Sequence, residues 1–111
     1  MDLPDHVHAY LKHIVRCIKE TMPVTAIYLF GSYATGNYHA DSDLDIYIIS
    51  TDKTKKIIEL RRDASRAVGV PKIMAVDFLV GYQEDFERRS RMINTIESEV
   101  REKGVNIYAI A

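Results

Sequence analysis

Three short apolar segments constrain the fold of this chain more than any other feature of its sequence. They read VTAIYLF at residues 24–30, LDIYIIS at 44–50 and KIMAVDFLV at 72–80. Their short length and their apolar, β-branched composition are typical of strands that are buried in a sheet. Helical patterns separate the three segments. We therefore predict the α/β (α+β) class, with a small mixed sheet that is covered by helices.

Two amphipathic helices are predicted, one before the first strand and one between the second and the third. In residues 4–21 the apolar side chains recur at spacings of three and four, which is the period of a helix with one buried face. Residues 53–68 show the same spacing, Gly69 ends this helix, and Pro71 prevents its continuation. The apolar positions of the first helix are Val7, Leu11, Ile14 and Ile18.

The remaining predicted elements are shorter or less regular. Gly31 and Ser32 open a short helix, YATG, directly after the first strand. Residues 83–103 are predicted to be helical, in one piece or in two. Gly104 separates them from a short closing strand, NIYAI at 106–110. The elements therefore alternate in the order α-β-α-β-α-β-α-β.

Composition limits the classes of protein that this chain can be. Its 111 residues fit a single domain, 1–111. With 47% hydrophobic and 28% charged residues, it has the composition of a soluble globular protein. The 15 basic and 16 acidic side chains give a net charge of -1, which argues against strong nucleic-acid binding through a basic surface. A nucleotide substrate is still compatible with this charge, because a bound metal can supply the positive charge that phosphate requires.

Neither a targeting signal nor an internal disulfide is expected. The opening stretch MDLPDHVHAYLKH lacks the charged-then-apolar pattern of a signal peptide, and no apolar run approaches the length of a membrane span. Cys17 is the only cysteine, and its place on the apolar side of the first helix predicts a buried thiol and not a nucleophile. We therefore expect a cytoplasmic protein without a membrane partner.

A glycine–serine pair follows the first strand. Glycine at position 31 lets the backbone approach a ligand closely. The N–H groups at the start of a helix, together with the Ser32 hydroxyl, can bind a phosphate group. Tyr33 and Tyr38 flank this turn and could stack on a base. Taken alone, the pair is a weak signal, because glycine and serine after a strand usually form only a turn.

Two aspartates stand at the entry to the second strand. Alternation along a strand places Asp43 and Asp45 on one face and directs Leu44 and Ile46 into the core. Two like charges on one face repel each other, and aspartate disfavours strands. A divalent cation would compensate both charges and would be coordinated by their oxygens. The structural alternative is an exposed strand end with solvated acids.

A third aspartate, Asp77, interrupts the apolar segment MAVDFLV. An unpaired ionised carboxylate in a buried strand is very costly. The alternatives are a metal site, a protonated aspartate, or an ion pair with a nearby basic residue. If the second and third strands are neighbours, Asp77 lies beside Asp43 and Asp45, and the three carboxylates raise one another's pKa unless metal ions keep them ionised.

Together these residues resemble a known family. The string LFGSYATGNYHADSDLDIYII, with VDFLV downstream, resembles the nucleotidyltransferase domain shared with DNA polymerase beta. It is most similar to the minimal nucleotidyltransferases that form the antitoxin halves of HEPN/MNT toxin–antitoxin pairs. The family pattern is G-S, ten residues, D-x-D, and a third acid on the following strand. The present chain supplies it with Gly31, Ser32, Asp43, Asp45 and Asp77.

The resemblance implies a polymerase beta palm-like fold and a role for each of these residues. Asp43 and Asp45 would ligate two Mg²⁺ ions, and Asp77 would bind one of them and help to deprotonate the attacking hydroxyl. Gly31 and Ser32 would hold the β- and γ-phosphates of ATP. In such a two-metal scheme, one ion positions the nucleophile and both stabilise charge at the α-phosphate while pyrophosphate leaves.

One position departs from the family pattern. The family often has a basic residue where this chain has Thr35, so a positive charge that faces the phosphates is missing. Lys53, Arg61 and Arg62 are the candidates that could replace it.

The resemblance also implies a partner. In the HEPN/MNT family the acceptor is a tyrosine of the toxin and the donor is ATP, so this chain would act as an antitoxin by AMPylation. The alternatives are a non-catalytic antitoxin that neutralises a toxin by direct contact, and a subunit of a two-chain transferase acting on a small molecule. A homo- or hetero-oligomer is compatible with each of these readings.

Overall fold

A four-stranded mixed sheet organises the structure, a computed structural model that describes residues 2–69 and 74–111. The sheet order is β3-β2-β1-β4. The elements are α1 (Asp5–Thr21), β1 (Val24–Phe30), α2 (Ser32–Thr35), β2 (Leu44–Ser50), α3 (Ile57–Val68), β3 (Val76–Tyr82), α4 (Gln83–Arg89), α5 (Ile96–Lys103), β4 (Val105–Asn106) and a final 3-10 turn, Tyr108–Ile110.

The sheet is mixed because its neighbouring strands run in both relative directions. β1 is antiparallel to β2 and to β4, and β2 is parallel to β3. A parallel pair needs a crossover connection, and α3 lies in that connection. The predicted class, a small mixed sheet with helices, is therefore confirmed.

Alternation along the strands divides the core into two layers. Leu44, Ile46 and Ile48 of β2 are fully buried on the face that α1 and α3 cover. The opposite face of the sheet is covered by α4 and α5 through Phe86 and Val100. The buried cluster on the α1/α3 face comprises Val7, Leu11, Ile14, Val15, Ile18, Met22, Ile27, Leu29, Tyr33, Leu44, Ile46, Ile48, Leu60, Ala64, Val68, Phe78, Val80 and Ile107.

The helix predicted at 53–68 begins later than expected, at Ile57. The backbone N–H of Thr54 donates to Asp52 Oδ1 at 3.1 Å, and this local turn keeps the preceding residues out of the helix. Glu59 Oε1 then accepts from the Lys56 backbone N–H at 3.2 Å, which satisfies a donor at the helix start. Gly69 ends the helix as predicted, and Pro71 lies outside the described residues.

The third strand is displaced from its predicted range of 72–80. It runs from Val76 to Tyr82, and residues 72 and 73 lie outside the described part of the chain. The prediction of helix in one or two pieces at 83–103 resolves into α4 and α5, which the connection at 90–95 separates.

The predicted closing strand NIYAI is wrong beyond its first residue. Only Val105 and Asn106 pair with β1. Asn106 Oδ1 accepts from the Tyr108 backbone N–H at 3.0 Å, and this side-chain turn directs the chain into the 3-10 turn. The buried side chain of Ile107 still closes the α1/α3 layer.

Two smaller expectations concern the first helix and the membrane. Cys17 packs against the core as predicted, but it is only partly buried, beside His13. Its partial burial raises the pKa of the thiol, which does not favour a nucleophile. Within the residues that the structure describes, no helix combines the length and the apolar character that crossing a membrane requires.

Candidate active site

The predicted acidic residues lie at one end of the sheet, on the face that carries α4 and α5. Asp45 in β2 pairs directly with Asp77 in the parallel strand β3. Directly paired residues on neighbouring strands point to the same face, so the two carboxylates are adjacent. Asp43 precedes Asp45 by two residues, and Leu44 between them is fully buried on the other face. The structure therefore places Asp45 and Asp77 side by side, with Asp43 two residues before Asp45 in the chain.

Asp45 is the most enclosed of the three. Its side chain is half-buried between β1 and β3, whereas Asp43 is exposed. Burial raises the pKa of Asp45, and the negative charges of Asp77, Asp43 and Glu99 raise it further. The site therefore concentrates negative charge around one partly desolvated carboxylate.

Asp77 is not buried, which corrects the prediction from its apolar surroundings. β3 is an edge strand of the sheet, so a side chain near the start of β3 can reach solvent. The side chain of Asp77 is 56% exposed, and its Oδ1 lies 3.8 Å from Nη2 of Arg61. Arg61 is itself anchored, because its Nε donates to the carbonyl of Phe78 at 2.8 Å. A loose, exposed ion pair of this kind contributes little to stability.

The backbone of Gly31 lies against the carboxyl group of Asp45. It follows Phe30, which pairs with Asp45, and it has a φ of 72°. A Cβ atom at this position would collide with the carboxyl group of Asp45. Only glycine therefore allows the backbone of the turn to lie against Asp45. Ser32 begins α2 directly after this turn.

The basic residues proposed to replace the missing charge at Thr35 have different positions. Lys53 lies beyond the end of β2, at the opposite end of the strand from Asp45, and pairs with Glu84 at 2.7 Å. It is therefore excluded as a partner of the site. Arg61 is the basic residue that the structure places beside the acids. The Thr35 hydroxyl is used locally and donates to the carbonyl of Gly31 at 3.3 Å.

The two tyrosines beside the turn contact each other through their rings. The rings of Tyr33 and Tyr38 stack with their centroids 4.4 Å apart and their planes 10° apart. Tyr33 is buried in the α1/α3 layer. The buried Tyr33 therefore does not fit the prediction that it could stack on a base, whereas the prediction for the half-buried Tyr38 is not tested.

The sequence did not predict a hydrogen-bonded network that lies close to the acids along β2. Tyr47 donates from its hydroxyl to Glu97 Oε2 at 2.7 Å, and Arg89 donates from Nε to Glu97 Oε1 at 3.0 Å. Burial, together with the hydrogen bond to Glu97, raises the pKa of Tyr47, so its hydroxyl stays protonated. The network ties α4 and α5 to β2 two residues from Asp45. No local pattern reveals it, because its members are far apart in the chain.

Glu99 was also missed, for the same reason. It lies on α5, which packs on the sheet through the buried Val100. Its charge reaches Asp45 and contributes to raising the pKa of that carboxyl, after burial and the charges of Asp77 and Asp43. Glu99 therefore adds to the negative charge around Asp45, and it belongs to no sequence motif.

The donor set fits a hard divalent cation in its chemistry. Mg²⁺ prefers carboxylate oxygens, and a cation would relieve the charge concentration that raises the pKa of Asp45. In the described residues, however, no three His, Cys, Asp or Glu side chains already converge closely enough to hold a metal. Asp77 faces Arg61, and Asp43 points into solvent.

Comparison with known proteins identifies the class of this fold and site. The family described as "Polymerase beta, Nucleotidyltransferase" matches residues 12–109. This range includes the glycine–serine turn and all three aspartates. The chain therefore belongs to the polymerase beta-like nucleotidyltransferase family, as the resemblance indicated.

One curated protein is similar to part of this chain. The protein adenylyltransferase MntA of Shewanella oneidensis is 38% identical to this chain over 45 residues, which are 40% of this chain and 32% of that protein. The matched segment thus spans about a third of the length of this curated relative.

Two solved structures are also similar. A toxin–antitoxin crystal structure with AMP-PNP has a TM-score of 0.57 at 25% identity, covering 86% of this chain and 70% of that chain. A Sulfolobus solfataricus protein assigned to the nucleotidyltransferases has a TM-score of 0.65 at 21% identity, covering 91% and 78%. The second likeness supports the fold alone.

Proposed function

We propose that this chain is a Mg²⁺-dependent nucleotidyltransferase that transfers AMP from ATP to a tyrosine hydroxyl of a partner HEPN toxin, and thereby acts as an antitoxin. The observation that carries the proposal is the direct pairing of Asp45 with Asp77, beside a turn in which Gly31 touches Asp45. The similarity to a protein adenylyltransferase and to a toxin–antitoxin structure with AMP-PNP supports the choice of donor and partner.

In this proposal the three aspartates have different chemical roles, which follow from their exposure. Asp43, Asp45 and Asp77 would hold two Mg²⁺ ions, which when bound supply positive charge and Lewis acidity to the phosphate oxygens. Gly31 and Ser32 bind the β- and γ-phosphates through the turn backbone and the serine hydroxyl. Asp77, which is accessible at the sheet edge, accepts the proton of the acceptor hydroxyl.

The transfer itself exchanges one phosphorus–oxygen bond for another. The acceptor oxygen bonds to the α-phosphorus while the bond from the α-phosphorus to the bridging oxygen breaks, and pyrophosphate leaves with that electron pair. The proton of the hydroxyl goes to the Asp77 carboxylate. Arg61 lies beside this carboxylate, with its Nη2 3.8 Å from Asp77 Oδ1.

The test is transfer of label from [α-³²P]ATP, with Mg²⁺, to the all-helical protein with an R-x-x-x-x-H motif that the proposal expects next to this chain in the genome. Asp45→Asn is expected to reduce the transfer rate at least about a hundredfold, because it removes a proposed metal ligand. Asp41→Asn is the matched control, since Asp41 is an exposed aspartate in the same loop outside the proposed site. Its rate should stay close to that of the wild type.

The position of the label distinguishes the alternative functions. Near-wild-type transfer by Asp45→Asn would remove this residue from the mechanism. Binding of the toxin without labelling would favour an antitoxin that acts by contact alone. Label that appears only on added small molecules, such as aminoglycosides, would favour a small-molecule transferase.

The stability of Asp45→Asn shows whether the variant keeps its fold. The folded-state pKa of Asp45 is raised, so the folded protein binds its proton more tightly than the unfolded chain does. Ionisation of Asp45 therefore lowers the free energy of unfolding as the pH rises from the ordinary aspartate range through the raised pKa. Asparagine does not ionise, so without metal the variant should be at least as stable as the wild type at neutral pH. Urea unfolding at several pH values measures this.

A further inference from the structure

The side chain of Arg61 reaches from one face of the sheet to the other. Arg61 belongs to α3, whose buried residues pack on the α1/α3 face. Asp77 lies on the opposite face, where it pairs directly with Asp45. The side chain of Arg61 therefore passes the open edge of β3 to reach the carboxylate, with Nη2 3.8 Å from Asp77 Oδ1. This contact joins α3 to the candidate active site.

A hydrogen bond to the backbone holds the guanidinium of Arg61 at the edge of the sheet. Its Nε donates at 2.8 Å to the carbonyl of Phe78, the residue that follows Asp77 in β3. This bond uses one of the five N–H donors of a guanidinium and leaves the terminal donors for other groups. The charge of Arg61 is therefore held beside Asp77 by a contact that does not depend on the Asp77 carboxylate itself.

The carboxylate of Asp77 has neighbours of opposite charge. Arg61 attracts it toward the edge of the sheet, whereas the negative charge of Asp45 on the next strand repels it. In the part of the chain that the structure describes, only Arg61 forms an ion pair with one of the three aspartates. In the same residues, no three acids converge closely enough to hold a metal. The pairing of Asp77 with Arg61 accounts for this arrangement.

The position of Arg61 does not suit it to replace the charge missing at Thr35. The turn that carries Gly31 follows β1, whereas Arg61 lies beside β3, and β2 separates these two strands. Arg61 therefore stands on the other side of Asp45 from the turn that would bind the phosphates. Its charge acts on Asp77, the only one of the three aspartates that it contacts.

We propose that Arg61 is a positioning residue that draws the carboxylate of Asp77 toward the sheet edge and thereby lowers the affinity of the acids for a divalent cation. Arg61 and the cation compete for the same carboxylate, and their positive charges repel each other. The ion pair is loose and exposed, so a cation can displace Arg61 from it at a modest cost. This inference rests on the proposed function for the assignment of Asp45 and Asp77 as metal ligands.

The test is the affinity of the full chain for Mn²⁺ without nucleotide, measured by electron paramagnetic resonance of the free ion. Arg61→Gln removes the competing charge, so we expect the Kd for Mn²⁺ to fall about threefold to tenfold. Arg62→Gln is the matched control, because Arg62 is the next residue of α3, is exposed and forms no ion pair among the described residues. It should change the Kd by less than about 1.5-fold. Damage to the fold would weaken binding, and melting temperatures monitor it.

The same measurement in an Asp77→Asn background shows whether Arg61 acts through Asp77. In that background Arg61→Gln should change the Kd by less than about 1.5-fold, because the carboxylate for which Arg61 competes is gone. Equal tightening in both backgrounds would mean that the charge acts from a distance, and the proposal would be wrong. An unchanged or raised Kd for Arg61→Gln in the otherwise native chain would also overturn it.

The outcomes separate this inference from the proposed function. Tightening that requires Asp77, in a chain that transfers no AMP to its partner, would reject the proposed function and keep the role of Arg61. AMP transfer by a chain whose affinity for Mn²⁺ does not respond to Arg61→Gln would reject the role of Arg61 alone. The absence of Mn²⁺ binding by both the wild type and Arg61→Gln would overturn both.

Discussion

At the scale of single residues, Gly31 determines how closely the turn after β1 approaches the acids. Its φ of 72° is unfavourable for any residue with a side chain, and a Cβ atom there would overlap the Asp45 carboxyl group. The turn can approach Asp45 this closely only because no side chain separates them. Under the proposed function, this close approach would bring a nucleotide held by the turn next to the carboxylates.

Gly36 provides a direct test of this contact. It also has a positive φ, 85°, but a Cβ atom there would meet only open space. Gly36→Ala should therefore cost about 1 kcal/mol of unfolding free energy, from backbone strain alone. Gly31→Ala should cost about 2–4 kcal/mol, because the collision with Asp45 adds to the strain. Urea denaturation of both variants measures the difference. Equal losses of unfolding free energy would show that the turn can move away from Asp45. In that case the contact would not restrict position 31 to glycine.

The sequence singled out candidate residues, but it did not predict their surroundings. Alternation along a strand was enough to place Asp43 and Asp45 on one face, because it depends only on the backbone period. The exposure of Asp77 depends on β3 being an edge strand, and strand order is not encoded in a local pattern. Glu99 reaches the site only through the packing of α5, so no spacing could reveal it.

At the scale of elements, the predicted bounds were correct where the residues next to an element end it clearly. β1 and β2 occupy their predicted ranges, since apolar runs with polar or glycine neighbours define them. The later start of α3 and the short β4 follow from side-chain turns at Asp52 and Asn106. These hydrogen bonds compete with the backbone pattern, and their outcome depends on the surrounding structure.

The attachment of α5 to the sheet can be tested through Tyr47. Tyr47→Phe removes the hydroxyl that donates to the largely buried Glu97, so we expect a loss of about 1–3 kcal/mol and faster hydrogen exchange in α5. Tyr28→Phe is the control, because Tyr28 packs in the same layer and its hydroxyl has no hydrogen bond among the described residues. A comparable loss in both variants would show that the hydroxyl bond does not hold α5.

At the scale of the whole molecule, the two layers differ in size. The cluster on the α1/α3 face is large and includes most of the fully buried side chains, whereas the cluster under α4 and α5 is small. The acids lie on the face of the smaller layer. The larger core on the α1/α3 face therefore holds the strands that carry the acids. The helices on the opposite face, α4 and α5, have less apolar contact with the sheet.

This difference predicts separate responses to core truncation. Leu11→Ala, in the larger layer, should lower the free energy of unfolding by about 2–5 kcal/mol and accelerate exchange throughout the sheet. Val100→Ala removes two buried carbons on the other face, so about 1.5 kcal/mol is expected. Its faster exchange should be confined to α5 and the connection at 90–95.

Hydrogen-exchange mass spectrometry of both variants resolves the two layers, because the larger core holds β1 and β2 even when α5 loosens. If Val100→Ala instead accelerates exchange in β1 and β2 as much as in α5, the layers unfold as one unit. In that case the connection at 90–95 could not loosen while the acids stay in place.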